Sequence, residues 1–353
     1  MEEKRRYDGL DLIKLIAILM VIATHIPLYE YDFIKNADLG IYIQFFFKMV
    51  TQGVPLFFAV NGFLMFKKDT FDLKQHVWKM MKIFILSIFW SLVLIIINLL
   101  YDKTPLDRSV IVDLFLKTSG GSLYTGEIWF LQAMFSIYTV YPLLWLVFKN
   151  DKRIFRYLMY VLLCSLLINK ALKICTLILE NEIRIKQFND TISFVNRYSI
   201  LDKYGWFLLY FMIGGYLFDE IEKISKKGSI ICFFALWIFM FVFSVILCVN
   251  KGQIYDVLID EKSLLQISSI VMLFKMLLNY KKEKKIGLIL CDIGMNTFGI
   301  YISHQFFIRI GRLFVQNDLF YSRFFIMLIS LFFSYVFSKI VGRIRYINEL
   351  IRL

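Results

Sequence analysis

Long apolar segments alternate with short polar ones along the chain, and several apolar runs exceed the roughly 18 residues typical of a transmembrane helix. Windows of about 19 residues predict about ten helices. By residue number they are 10–29, 40–66, 76–100, 128–148, 155–179, 204–218, 229–249, 263–280, 286–308 and 321–342. The connecting segments are too short to fold alone. We therefore predict an all-α membrane protein of about ten transmembrane helices, with residues 1–353 forming a single transmembrane domain.

The composition supports this prediction and excludes several other classes of protein. Hydrophobic residues make up 59% of the chain and aromatic residues 18%, whereas soluble domains contain about 45–50% apolar residues. This excess excludes a soluble enzyme, a disordered chain and a small disulfide scaffold. The alternating segments of about ten residues that characterise a membrane β-barrel are not seen.

The chain is basic, with a formal net charge of +13. In a soluble protein such a charge would indicate nucleic-acid binding. Here the basic residues lie between apolar spans, so they are better explained by the positive-inside rule, and we expect no nucleic-acid partner. Placing the N-terminus in the cytoplasm puts more lysines and arginines inside than outside. We therefore predict a multi-pass protein of the cell inner or plasma membrane with both termini cytoplasmic.

The first predicted helix carries Asp11, Lys14 and His25 in an otherwise apolar run. A charged or titratable side chain costs free energy inside a membrane, and its presence there favours a function. At 100° per residue, Lys14 and His25 lie on one face of the helix, about 16 Å apart along its axis. A structural interpretation is equally open, because Lys14 can extend to the inner interface and His25 can pack near the outer one.

Four blocks of sequence occur in this order along the chain: LDLIKLIAILMVIATH (10–25), GVPLFFAVNGFL (53–64), IWFLQAMFSIYTVYPLL (128–144) and NTFGIYISH (296–304). Together they resemble the integral-membrane acyltransferase family 3. The resemblance implies a largely bacterial type of membrane O-acyltransferase. Such an enzyme moves an acyl group, commonly acetyl from acetyl-CoA, onto a hydroxyl of an extracytoplasmic or lipid-linked polysaccharide or cell-wall sugar.

The resemblance also implies roles for the basic residues. His25 corresponds to the general base, a role that suits histidine because its pKa lies near the working pH. Lys14, Lys79 and Lys82 correspond to arginines of the family, and we expect them to bind the phosphates of the acyl-CoA donor. Lysine keeps the charge but loses the bidentate fork of arginine. We expect no permanently bound cofactor and no metal.

The residues that we expect near the acceptor differ more from the family pattern. Asn61 replaces a serine in the second span, and Glu127 replaces a histidine just before the fourth. We expect Glu127 to orient His25 or to bind the acceptor, since a catalytic histidine needs a partner for its second ring nitrogen. Asn61, Trp129 and His304 are candidate contacts to the substrate. Trp129 and His304 also have structural interpretations, as an interfacial aromatic residue and a packed histidine.

Three further residues receive structural interpretations. His76 lies at the inner interface, where we expect a solvated side chain. Tyr138 and Tyr141 are able to stack on a sugar, but aromatic residues near the outer interface usually form a belt, and we favour the belt.

Two other functions fit a bundle of this kind. A transporter, exporter or flippase would use the same apolar helices to move a polysaccharide or small substrate. Against it, the chain has no clear internal repeat and no acidic series for proton relay. The chain would also serve as the membrane partner of a separately encoded enzyme. The feature that favours the acyltransferase is His25 together with the basic residues toward the inner surface.

Overall fold

The computed structural model describes residues 8–26, 53–102, 128–178, 205–251, 262–278, 280, 285–315, 320–345 and 347–351. Within these ranges the regular structure consists of eleven α-helices and two short 3-10 helices. In chain order the α-helices are α1 (Asp8–His25), α2 (Gly53–Phe66), α3 (Leu73–Asp102), α4 (Trp129–Asn150), α5 (Lys152–Ile178), α6 (Gly205–Glu220), α7 (Lys226–Lys251), α8 (Leu264–Leu278), α9 (Lys285–Met295), α10 (Thr297–Phe314) and α11 (Phe320–Val341). The 3-10 helices are Ile221–Lys223 and Asn348–Ile351.

The helical class predicted from the sequence is confirmed. Four of the described helices are long and apolar enough to cross a membrane: Leu73–Leu94, Trp129–Asn150, Lys226–Ile246 and Tyr321–Val341. Two shorter apolar helices, α2 and α8, accompany them. Outward side chains on the long helices are often large and apolar, which suits contact with lipid. The count of ten spans and the cytoplasmic location of both termini remain predictions.

The centre of the bundle is built around α1, which packs against α2, α8, α9, α10 and α11. Among the described helices, α2 and α6 make the most extensive contact, and they cross where glycines face backbone. A methyl group at Gly62 would overlap the carbonyl oxygen of Phe211, and one at Gly214 would overlap that of Ala59. Small residues let helix backbones approach in this way, which fixes α2 beside α6.

The predicted single helix at 286–308 is wrong, because the structure divides it at Asn296 into α9 and α10. Asn296 has φ −95° and ψ 11°, and its backbone N–H donates to the carbonyl of Ile293 at 2.9 Å. Its side-chain amide donates to the carbonyl of Asp292 at 2.7 Å. These local bonds replace the regular helical pattern, as asparagine side chains often do. The break places polar groups of both helix ends on one surface.

Candidate active site

A cavity of about 570 Å³ opens between α1, α2, α3, α4, α9, α10 and α11. Its volume lies in the range of about 300–1,000 Å³ that is typical of ligand-binding pockets. Polar and charged side chains line one part of it, and aromatic rings and other apolar groups line the rest. The polar and charged lining residues are Lys14, Asn61, Lys79, Asp292, Asn296, Thr297, Ser338 and Lys339. The cavity therefore combines an apolar volume with a cationic wall.

Three residues predicted from the sequence come together at this cavity. Lys14 on α1, Asn61 on α2 and Lys79 on α3 all line it. The Lys14 ammonium lies 3.4 Å from Oδ1 of Asp11, one helical turn earlier. The Lys79 ammonium lies 5.3 Å from the centre of the Tyr138 ring, a cation–π geometry. The first helix thus directs Lys14 into the cavity rather than out to solvent.

Lys82, which we expected beside Lys79, lies outside the cavity lining. Its ammonium pairs with Oε2 of Glu349 in the C-terminal 3-10 helix at 2.5 Å. The same short helix is fastened to α3 by a second contact, because Nε1 of Trp90 donates to the carbonyl of Leu350 at 2.8 Å. The next residue, Ile351, lines the cavity. The C-terminal segment therefore closes one side of the cavity and engages Lys82.

Two charged lining residues, Asp292 on α9 and Lys339 on α11, were not singled out from the sequence. The Lys339 ammonium lies 3.1 Å and 2.9 Å from the two carboxylate oxygens of Asp292. The hydroxyl of Tyr335 also donates to this carboxylate. Both charged residues fall inside predicted spans, at 286–308 and 321–342. The rule that intramembrane charges are functional would have identified them.

His25 and His304 lie side by side, with ring centres 5.2 Å apart and ring planes at 48°. His304 has no exposed surface, and its Nδ1 lies 2.5 Å from the carbonyl oxygen of Tyr301. A carbonyl only accepts, so in the neutral ring Nδ1 carries the proton and Nε2 is an acceptor. Among the described residues, Nε2 has no hydrogen-bond partner. The pair therefore contains an acceptor nitrogen buried beside His25.

The histidine pair adjoins the cavity without lining it. Tyr301 connects the two, because it lines the cavity and its ring centre lies 5.7 Å from that of His304. Helix α1 is uninterrupted from Asp8 to His25. The axial separation of Lys14 and His25 is accordingly the expected 16 Å or so. Lys14 thus lies at the cavity and His25 lies about three helical turns farther along the same helix.

The predicted belt at Tyr138 and Tyr141 is wrong, because both side chains are buried with 1% exposure. The Tyr141 hydroxyl donates to the carbonyl of Met65 at 2.8 Å, which ties α4 to α2. Trp129 is half-buried, and its ring centre lies 5.3 Å from that of Phe207. Trp129 does not line the cavity itself, but its ring also packs against Phe130, which does.

His76 is also buried rather than solvated, with 7% exposure. Its Nε2 lies 2.8 Å from the carbonyl oxygen of Tyr138, and its ring packs against Phe71 and Tyr141. It is therefore a packing residue between the start of α3 and the middle of α4. Glu127, the predicted partner of His25, lies outside the described residues, so its role stays a prediction.

Comparison with family models matches residues 7–339 to an acyltransferase domain. The four blocks that carry the resemblance and the charged cavity residues all lie within the matched range. The match confirms the resemblance drawn from those blocks. No curated protein and no solved structure gives a significant match.

Proposed function

The chain belongs to the acyltransferase family 3, and from that premise we propose that it transfers an acyl group from acyl-CoA to a sugar hydroxyl. The acceptor in this proposal is an extracytoplasmic or lipid-linked polysaccharide or a cell-wall polymer, and acetyl is the first acyl group to test. The observation that carries the proposal is the cavity itself. It brings together lysines from helices distant in sequence and adjoins a pair of histidines.

The cationic wall supports a phosphorylated donor. Lys14 and Lys79 supply two ammonium groups, and the phosphates of coenzyme A are the natural ligands for such groups. The apolar part of the cavity, which Tyr301 helps to line, suits the uncharged arm that carries the thioester. This arm would reach from the lysines toward His25, over the roughly 16 Å that separates them along α1.

The histidine pair supports the chemical step. In the proposed reaction the acceptor hydroxyl attacks the thioester carbonyl while His25 takes the hydroxyl proton. The carbon–sulfur bond then breaks, and the coenzyme A thiolate takes the proton from the His25 imidazolium, which restores the base and leaves the acyl ester. In this proposal Nε2 of His304, which has no hydrogen-bond partner among the described residues, accepts a hydrogen bond from the acceptor or from His25. Glu127 keeps its predicted role, which is either to orient His25 or to bind the acceptor.

The proposed topology follows from the same arrangement. We place both termini in the cytoplasm, with about ten spans in the inner or plasma membrane. The N-terminal part of α1, which carries Lys14, then faces the cytoplasmic supply of acyl-CoA. His25 lies toward the opposite side, where the sugar acceptor is found.

The test uses the detergent-purified protein and acetyl-CoA. We expect saturable binding and slow hydrolysis or transfer by the wild type. His25→Ala should abolish turnover and leave binding intact, whereas Lys14→Ala should weaken binding. The matched control is Thr24→Ala, which alters the exposed neighbour of His25 and should retain full turnover.

Two outcomes would contradict the proposal. Full turnover by His25→Ala would remove this residue from the mechanism. The absence of any acetyl-CoA binding by a well-folded sample would instead favour the transporter interpretation, which a flux assay in liposomes would then examine.

A further inference from the structure

Lys339 lies outside the four sequence blocks and has no role in the proposed mechanism. Its ammonium lies on the cavity wall, 2.9 Å from Oδ2 of Asp292. The Lys339 side chain is 38% exposed and that of Asp292 is 29% exposed. The ion pair therefore borders the cavity and is open to a ligand within it.

The charges around the cavity leave an excess of cations. Lys14, Lys79 and Lys339 line it, whereas Asp292 is the single carboxylate among the described lining residues. Asp11, outside the lining, offsets part of the charge of Lys14. The charges of three ammonium groups are thus offset by those of only two carboxylates. Since uncompensated charge is costly away from bulk water, such a cavity favours an anionic ligand.

Asp292 is arranged so that Lys339 is free to exchange partners. Tyr335 donates a hydrogen bond to the same carboxylate, and this bond does not depend on Lys339. When the ammonium turns to another anion, Asp292 keeps a donor. The exchange therefore avoids the large cost of leaving a carboxylate without any hydrogen bond.

Lys339 lies on the same cavity wall as the junction of two helices. Asn296 and Thr297 line the same wall, at the point where α9 ends and α10 begins. The donors of these two residues are engaged within the protein. The backbone N–H and the side-chain amide of Asn296 donate to Ile293 and Asp292. The Thr297 hydroxyl donates to Gly294. The group on this wall that would contact an anion is therefore the Lys339 ammonium.

We propose that Lys339 leaves Asp292 to bind a phosphate of the acyl donor, and so distinguishes a phosphorylated donor from an unphosphorylated one. This inference rests on the proposed function for the identity of the donor. Lys339 acts here as a specificity-determining residue, and Asp292 with Tyr335 positions it in the absence of ligand.

The test is equilibrium binding to the detergent-purified full chain, with coenzyme A and with pantetheine, which carries no phosphate. Lys339→Met should weaken coenzyme A binding by about ten- to a hundredfold, the range for a hydrogen bond to a charged group. Pantetheine binding should stay unchanged. Lys339→Arg keeps the charge and should remain within a few-fold of the wild type.

The matched control is Lys149→Met. This substitution removes another lysine–aspartate pair, Lys149 with Asp69 at 3.3 Å, which lies outside the cavity lining. This control should leave the binding constants for coenzyme A and for pantetheine unchanged. Such a result would show that the effect of Lys339→Met comes from losing this particular charge, and not from losing a lysine–aspartate ion pair in general.

If Lys339→Met weakened the binding of coenzyme A and of pantetheine equally, the inference would be overturned, because the residue would then only shape the cavity. Unchanged binding of both ligands would overturn it as well. The proposed function fails separately: binding of coenzyme A that depends on Lys339 without any acyl transfer would refute the transferase and retain the phosphate site. A wild type that binds no coenzyme A would refute both.

Discussion

Lys79 and Lys82 make different contacts, although the sequence predicts the same role for both. Lys79 faces the cavity above the ring of Tyr138, whereas Lys82 points to Glu349. The spacing of three residues places both lysines on nearly the same side of α3. Only the fold shows which of them reaches the cavity. The pairing of Lys82 depends on a residue near the other end of the chain.

This difference leads to a prediction about donor affinity. Lys79→Met should raise the KM for acetyl-CoA about tenfold, as expected for loss of about 1.4 kcal/mol of binding. Lys82→Met should raise it less than about threefold, because its ammonium is already engaged by Glu349. Steady-state kinetics of the two variants side by side measure the ratio. A larger effect from Lys82→Met would show that the pair with Glu349 opens when the donor binds.

Sequence reasoning reached part of the site and missed part of it for identifiable reasons. Lys14 and Lys79 were found because they interrupt or border apolar runs that resemble a known family. The pairing of Asp292 with Lys339 was missed because hydropathy windows do not show which helices touch. The burial of Tyr138 was missed because the same aromatic residue type occurs both in cores and at membrane interfaces.

Among the helices, the pair α2 and α6 depends on glycine at its crossing. Gly62→Ala or Gly214→Ala would place a methyl group on a backbone carbonyl, so the helices must separate. We expect each substitution to destabilise the protein by about 1–3 kcal/mol or more, the usual cost of overpacking. Thermal unfolding in detergent should show a clear fall in Tm.

Gly228→Ala is the control for this prediction. Gly228 lies in the first turn of α7, and the nearest atoms to an added methyl group belong to Ser225 at ordinary contact distance, 3.5 Å. Alanine is favoured over glycine in a helix by up to about 1 kcal/mol, so the Tm should stay or rise. Equal losses in all three variants would mean that the α2–α6 crossing is not the sensitive point.

Most helix positions followed from hydropathy alone. The predicted span 128–148 corresponds to Trp129–Asn150, and 229–249 corresponds to Lys226–Lys251. The break at Asn296 did not follow, because neither proline nor a run of polar residues marks it. It arises from local hydrogen bonds of one asparagine, which a hydropathy window averages away.

The cavity belongs to the molecule as a whole, since no single helix or neighbouring pair forms it. Its cations come from α1, α3 and α11, and its carboxylate comes from α9. The sequence predicted the helical class and the family, which depend on composition and local blocks. It did not predict the cavity, which depends on how distant helices pack.

The placement of Lys14 has an electrical consequence. Lys14 lies six residues into α1, about 9 Å along the axis. If α1 begins at the inner edge of a roughly 30 Å hydrocarbon layer, as the predicted topology has it, Lys14 is roughly a third of the way through that layer. In that topology an anion that reaches Lys14 would cross about a third of the transmembrane voltage, worth roughly 0.7 kcal/mol per charge at 100 mV. Donor affinity in proteoliposomes should then change about threefold per charge when an ion gradient sets that voltage. The sign of the change identifies the side on which the cavity opens, and a flat response would place Lys14 outside the field.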